Sequence, residues 1–267
     1  MSIDDRDPPA DGVEPVATES GTPSAHSATR AERRAAKKAG KKHLPVWQES
    51  LLLLAVALVL AVVIKAFFVQ AFYIPSESME PGLVKNDRIL VEKWSYWGSS
   101  SPERGDVVVF KDPGDWLDPS ESNAPSSIFQ KGLEKIGLYP SGGHLVKRVI
   151  GVAGDTIVCC DDQGRISVNG VPLDEPYLKN AADCNGPMVS PRCQRDWKAG
   201  PVPAGKLFVM GDHRDMSADS SYHLKNPGPT FVPVKLVVGK VFVLVWPRDH
   251  FGWIKRPATF EDLPDPQ

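Results

Sequence analysis

Apolar residues are distributed along this chain in two ways. From Leu51 to Ile64 they form an uninterrupted run, and beyond Lys65 the apolar character continues through Ala66, Phe67, Phe68 and Val69. Counted from Val46 or Trp47, with Lys65 reaching toward the far headgroups, the segment has roughly 20 residues, enough for a helix to cross about 30 Å of hydrocarbon. The pattern predicts one transmembrane helix over residues 46–70. A cleaved secretory signal and the buried helix of a soluble domain are the rival readings. The first fits less well, because its charged leading region is a few residues long and here about 45 residues precede the run.

Beyond residue 70 the pattern changes to short Val- and Ile-rich segments at 88–93, 106–110, 145–151, 156–160, 165–168, 207–210 and 236–246, separated by Gly, Pro and Asp. These are strand signals, and Gly105-Asp106, Gly154-Asp155 and Gly211-Asp212 punctuate strand ends. The last segment is interrupted by Lys240 and rich in Val, which marks a buried strand and not a second span. The expected fold is mainly β, an antiparallel β core over 71–267, preceded by the single helix. A smaller inserted β subdomain is expected at about 158–205, where Asn169-Gly170 favours a tight hairpin turn. Residues 111–143 read as a surface loop with one short helix around 127–136.

Composition and charge add an orientation. The formal net charge of −2 gives no basic bias, so nucleic acid is not an expected partner. Residues 1 to about 29 are too polar and Pro-rich to offset ordering entropy, and with the following cluster they form a tail, 1–45, without a core. That cluster holds Arg30, Arg33, Arg34, Lys37, Lys38, Lys41 and Lys42 against Glu32 alone. By the positive-inside rule the tail is cytoplasmic and the β domain extracytoplasmic, in a single-pass plasma-membrane protein. Cys159, Cys160, Cys184 and Cys193 then lie on the side where disulfides persist. Zinc-type spacing is missing, so no metal is expected. Adjacent cysteines rarely bond each other, which leaves Cys184 with Cys193, or one of each with the vicinal pair.

Chemistry concentrates in two places. Ser76 and Ser78 sit in a loop bounded by Pro75 and Pro81, a few residues past the membrane segment, where the backbone is restricted. Most serines in such loops are inert, and a reactive one needs a base. His144 and His213 keep a Ser-His-Asp arrangement open. Lys147 is the other route, on the face of its strand opposite Val146 and Arg148, although an exposed strand lysine is the ordinary reading.

Four blocks in order after the anchor, residues 75–83, 104–110, 147–155 and 211–220, resemble the type I signal peptidase family. The resemblance implies Ser78 as nucleophile and Lys147 as general base, with Ser76 and the Ser78 N–H as oxyanion donors. It implies that Ser217 orients Lys147 and that Asp219 supports the last block, with no cofactor. It further implies cleavage of secretory signal peptides after small residues at the first and third positions before the cut, with preproteins, the bilayer and the secretion machinery as partners. An extended substrate is expected on the strand edge near the active loop, and Phe72, Tyr73, Trp94, Tyr96 and Trp97 as an interfacial belt.

A lysine titrating at about 10.4 is a base at neutral pH only if burial lowers that value, and Val146, Val149 and Phe72 are the apolar candidates for this. Departures from the family pattern are His213 for Asn, Ser221 for Arg, Gly82 for Thr and Ala153 for Pro. The Ser221 change puts in doubt the salt bridge that an arginine would make to Asp219. Other readings fit less well: a self-cleaving Ser-Lys repressor would carry a DNA-binding domain, a thiol-disulfide enzyme C-x-x-C, and a membrane-tethered non-enzymatic β domain would have a degenerate dyad.

Overall fold

The structure is a computed structural model and describes residues 45–96, 98, 100–117, 143–179 and 196–266. The acidic tail and basic cluster, the stretch with the expected short helix at 127–136, Trp97, Cys184 and Cys193 lie outside the described residues. Helix α1, Val46–Phe67, carries the long apolar run. Its 22 residues rise about 33 Å, the thickness of a bilayer core. Within Val46–Ile64 it is apolar and unburied, as a lipid-facing helix must be.

The apolar character outlasts the helix. Val69–Tyr73 forms β1, an antiparallel partner of β2, Arg88–Glu92. The expected span to residue 70 therefore overshoots by a few residues, because no Gly or Pro marks the change from helix to strand. The remaining strands are β3 Val107–Lys111, β4 His144–Gly151, β5 Ile157–Cys159, β6 Ile166–Val168, β7 Val171–Pro172, β8 Trp197–Ala199, β9 Lys206–Met210, β10 Val232–Pro233, β11 Val237–Trp246 and β12 Gly252–Trp253.

Two sheets result. The larger runs β1-β2-β11-β3-β4-β9-β10, with β12 added to β11, so the late strand β11 lies between β2 and β3. It is curled: Phe72 of edge strand β1 meets His144 of β4 at 5.4 Å between ring centroids, although three strands separate them in the sheet order. Both faces are covered. Val107 and Val109 of β3 join a cluster with Ile74, Met79, Leu83, Ile89 and Val91. Val108 and Phe110 join another with Val149, Leu207 and Val209. Burial on both sides explains why β3 reads as a continuous apolar run and not as alternation.

The smaller sheet, β7-β6-β5-β8, is formed by chain inserted between β4 and β9. Asn169 and Gly170 turn β6 into β7 with φ of 52° and 83°, the left-handed backbone that an Asn-Gly hairpin turn needs. Cys159 and Cys160 at the end of β5 are bonded to each other, against the expectation for adjacent cysteines, with a cis peptide between them.

Candidate active site

The loop after β1 is pinned by apolar anchors on both sides of Ser78. Ile74, Met79 and Leu83 are buried in the cluster beneath the curled sheet. Main-chain bonds close the loop, from Ile74 N to Asp87 O, Asn86 N to Ile74 O and Leu83 N to Met79 O. Ser78 is thereby held with 5% of its surface exposed.

Lys147 approaches from β4. On the pleat it shares a face with Leu145 and Val149, and its partner across the ladder is Val108. Of the three apolar residues that the sequence offers as its surroundings, Val149 is on that face. Val146 and Phe72 pack in the opposite cluster. Lys147 is 4% exposed, and its Nζ donates to Ser78 Oγ over 2.6 Å. Burial lowers its pKa to about 8, against the opposing pull of the Asp219 and Asp212 carboxylates. Ser76 Oγ lies 3.3 Å from Ser78 Oγ. Among the described residues, these two side chains are the hydrogen-bond partners of the Ser78 hydroxyl, and the Ser78 N–H has no acceptor.

The turn after β9 closes the site from below. Gly211 passes so near that a Cβ there would lie 2.4 Å from both Ser217 Oγ and Ser78 O, so the position has no room for a side chain. The His213 N–H donates to Ser78 O over 3.1 Å. Asp219, almost wholly buried, accepts from Gly211 N at 2.9 Å, Ser217 Oγ at 2.6 Å, Ser221 N at 3.0 Å and Ser221 Oγ at 2.6 Å. The Ser217 hydroxyl is thus directed to Asp219; among the described residues Lys147 Nζ bonds Ser78 alone. Among the described residues neither histidine ring is bonded to the Ser78 hydroxyl. The His213 ring lies 3.1 Å from Glu77 O and 3.1 Å from Asp215, and the His144 ring packs on Phe72.

A nearly buried serine bonded to a desolvated lysine is a pair between which a proton can pass. The family model for signal peptidase, peptidase S26, matches residues 47–246. The chain belongs to the signal peptidase family. It is 38% identical over 254 residues to a probable signal peptidase I of Mycobacterium leprae, with 87% of each chain covered. To signal peptidase I of Mycobacterium tuberculosis it is 40% identical over 223 residues, covering 78% of this chain and 75% of that one. A signal peptidase I of Leptolyngbya laminosa matches at 32% over 213 residues, 79% of this chain and 86% of the relative. As a member of the signal peptidase family the chain is a peptidase.

Just past the last block, Ser221 gives Asp219 two hydrogen bonds, from its N–H and its hydroxyl. At Gly82 the nearest atom to an added Cβ is Asp212 Oδ2, 3.8 Å away, so the position is open. Sequence reasoning missed a buried ionic frame. Arg148, next to Lys147, grips Asp212 with bonds of 2.8 and 2.7 Å and donates to Gly105 O. Arg214 pairs with Glu175 at 2.6 Å. Arg148 and Asp212 lie inside matched blocks and were open to suspicion; Glu175 comes from the insertion, and no motif announces it. Of the expected aromatic belt, Tyr73 and Trp94 are exposed, while Phe72 and Tyr96 pack partly inside.

Proposed function

We propose that the chain removes signal peptides from secreted preproteins by a Ser78-Lys147 dyad. The observation that carries this reading is the 2.6 Å bond between Lys147 Nζ and Ser78 Oγ, made by a lysine whose pKa burial lowers to about 8. Neutral Lys147 accepts the hydroxyl proton as Ser78 Oγ attacks the scissile carbonyl carbon. The Ser78 N–H and the Ser76 hydroxyl donate to the resulting oxyanion. Collapse breaks the C–N bond, Lys147 returns the proton to the departing amine, and the signal peptide remains as an ester on Ser78. Water then attacks that ester, giving its proton to Lys147, and the carboxylic acid leaves as Ser78 recovers its hydrogen. Asp219, saturated by the Ser217, Ser221 and Gly211 donors, fixes the turn that presses on Ser78 O.

Edge geometry supports an extended substrate. The outer side of β1 has no strand partner among the described residues, and β9 pairs with β4 only from Arg148 onward, so among the described residues Leu145–Lys147 have no strand partner on that side. A strand added there gains main-chain hydrogen bonds, and shallow pockets select small side chains at the first and third positions. Helix α1 spans the plasma membrane once, with the basic N-terminal side cytoplasmic and residues 71–267 outside, where preproteins emerge from the secretion machinery at the bilayer. The test is cleavage of a preprotein by the full chain in detergent. Ser78→Ala and Lys147→Ala each abolish it with melting behaviour retained; near wild-type turnover by Lys147→Ala ends the dyad assignment.

A further inference from the structure

The segment from Glu175 to Lys179 leaves the inserted sheet and crosses the back of the site. Along these five residues it touches each part that the proposed mechanism must hold in register. Tyr177 stacks its ring on the Arg148 guanidinium, 4.3 Å from centroid to carbon, next to the base on β4. The Tyr177 hydroxyl donates to Glu175, which holds the fully buried Arg214. The Lys179 N–H donates to Asp212 O over 3.3 Å, and Lys179 forms a parallel bridge with His213, whose own N–H holds Ser78 O. At the end of the segment Lys179 Nζ donates to Glu80 Oε2 over 2.6 Å, two residues beyond the nucleophile.

We propose that Glu175–Lys179 is a strap that positions the nucleophile against the base, with Lys179 as a positioning residue acting through Glu80. The inference rests on the Ser78-Lys147 reading. One end of the strap is fixed to the strand of the base through Tyr177 and Arg148, the other to the nucleophile loop through Lys179 and Glu80. A small error in their separation is costly, because proton transfer requires heavy atoms within about 2.6–3.2 Å. The Glu80 hydrogen bond raises the Lys179 pKa, and Glu77 and Asp215 add to it, so this ammonium faces a group of carboxylates around the loop. The Lys179 side chain is 41% exposed and Glu80 14%, so the pair adds little to global stability and its loss leaves a folded protein. The Glu175–Arg214 pair is buried on both sides, and cutting it risks the fold itself.

The experiment uses the full chain in detergent micelles with a fluorogenic peptide bearing Ala at the first and third positions before the cut. Lys179→Met should lower kcat about threefold to fivefold, the reach of a partly exposed ion pair, with KM and melting temperature unmoved. Glu80→Lys should lower kcat at least as much, and Glu80→Lys combined with Lys179→Glu should restore it. A merely structural lysine would move the melting temperature and leave the split between kcat and KM untouched. Wild-type kcat in Lys179→Met, a change confined to KM, or no recovery in the charge swap would overturn the strap. Lys147→Ala in the same assay separates the two ideas: if it is inactive while Lys179→Met is normal, the strap fails and the dyad stands, and if it is active the dyad itself fails.

Discussion

A lysine whose charged form is desolvated by burial is a strained partner of the fold, and the strain has a size and a pH window. Lys147 titrates at about 8 in the folded chain against an ordinary 10.5. At about 1.4 kcal/mol per tenfold change in proton affinity, the charged form costs the fold about 3 kcal/mol. The cost is complete below pH 8, where folded and unfolded chains are both protonated. It shrinks between 8 and 10.5, where only the unfolded chain holds the proton, and it is gone above. Lys147→Met keeps the length of the side chain, removes the charge and gives up one hydrogen bond to Ser78, worth about 1 kcal/mol. The inactive variant should therefore be more stable than the natural chain at pH 7 by about 2 kcal/mol, a rise of about 4–8 °C in melting temperature for a domain of this size. The gap should close as pH approaches 10.5. Thermal unfolding of both proteins in the same detergent, from pH 6 to pH 10.5, measures it, with other titrations cancelling in the difference. A gap independent of pH, or a variant less stable at pH 7, would refute the burial argument.

Four other outcomes follow from the same geometry. The acidic limb of kcat/KM should fall at about pH 8 as Lys147 gains its proton; a limb near 6–7 that His144→Ala or His213→Ala abolishes would indicate a histidine base. Ser76→Ala should lose roughly 10² to 10³ in kcat if its hydroxyl serves the oxyanion, and unchanged turnover would move that role elsewhere. Asp219→Asn removes a carboxylate that holds the Lys147 pKa up, so the acidic limb should move to lower pH while stability drops by about 1–3 kcal/mol; a limb moving upward would contradict the electrostatics. Protease added outside intact cells should cut within residues 111–143, and reporter fusions placing the N-terminus outside would overturn the topology.

Much of this arrangement was legible in the sequence because it rests on local pattern. The strands from 88 to 92, 144 to 151, 206 to 210 and 237 to 246 fall within a residue of the segments their Val and Ile content marks. Ser78 and Lys147 stand inside two of the blocks that the sequence singles out, and the structure brings them within 2.6 Å of each other. What stayed hidden depends on contacts between distant segments. β1 was absorbed into the apolar run of the helix, since the end of α1 is decided by pairing with β2 and no residue there signals a break. The direction of the Ser217 hydroxyl, toward Asp219, depends on a turn geometry that spacing does not encode. Glu175, Tyr177 and Lys179 are ordinary polar residues until the insertion folds back on Arg148, Arg214 and Glu80.

The place of β11 in the larger sheet has a consequence for synthesis. On the Ser78-Lys147 reading, the nucleophile sits in the loop that joins β1 to β2 and the base in the β3-β4 hairpin, and in the sheet these two halves are joined through β11, formed by Val237–Trp246. A ribosome has therefore made both reactive residues long before the strand that brings their hairpins side by side. At about 5–20 residues per second, the roughly hundred residues between Lys147 and Trp246 correspond to about 5–20 s in which the nascent chain carries a serine and a lysine but no dyad. On that reading the order of strands acts as a timer: a chain ending before Val237 would carry Ser78 and Lys147 without the strand that joins their hairpins.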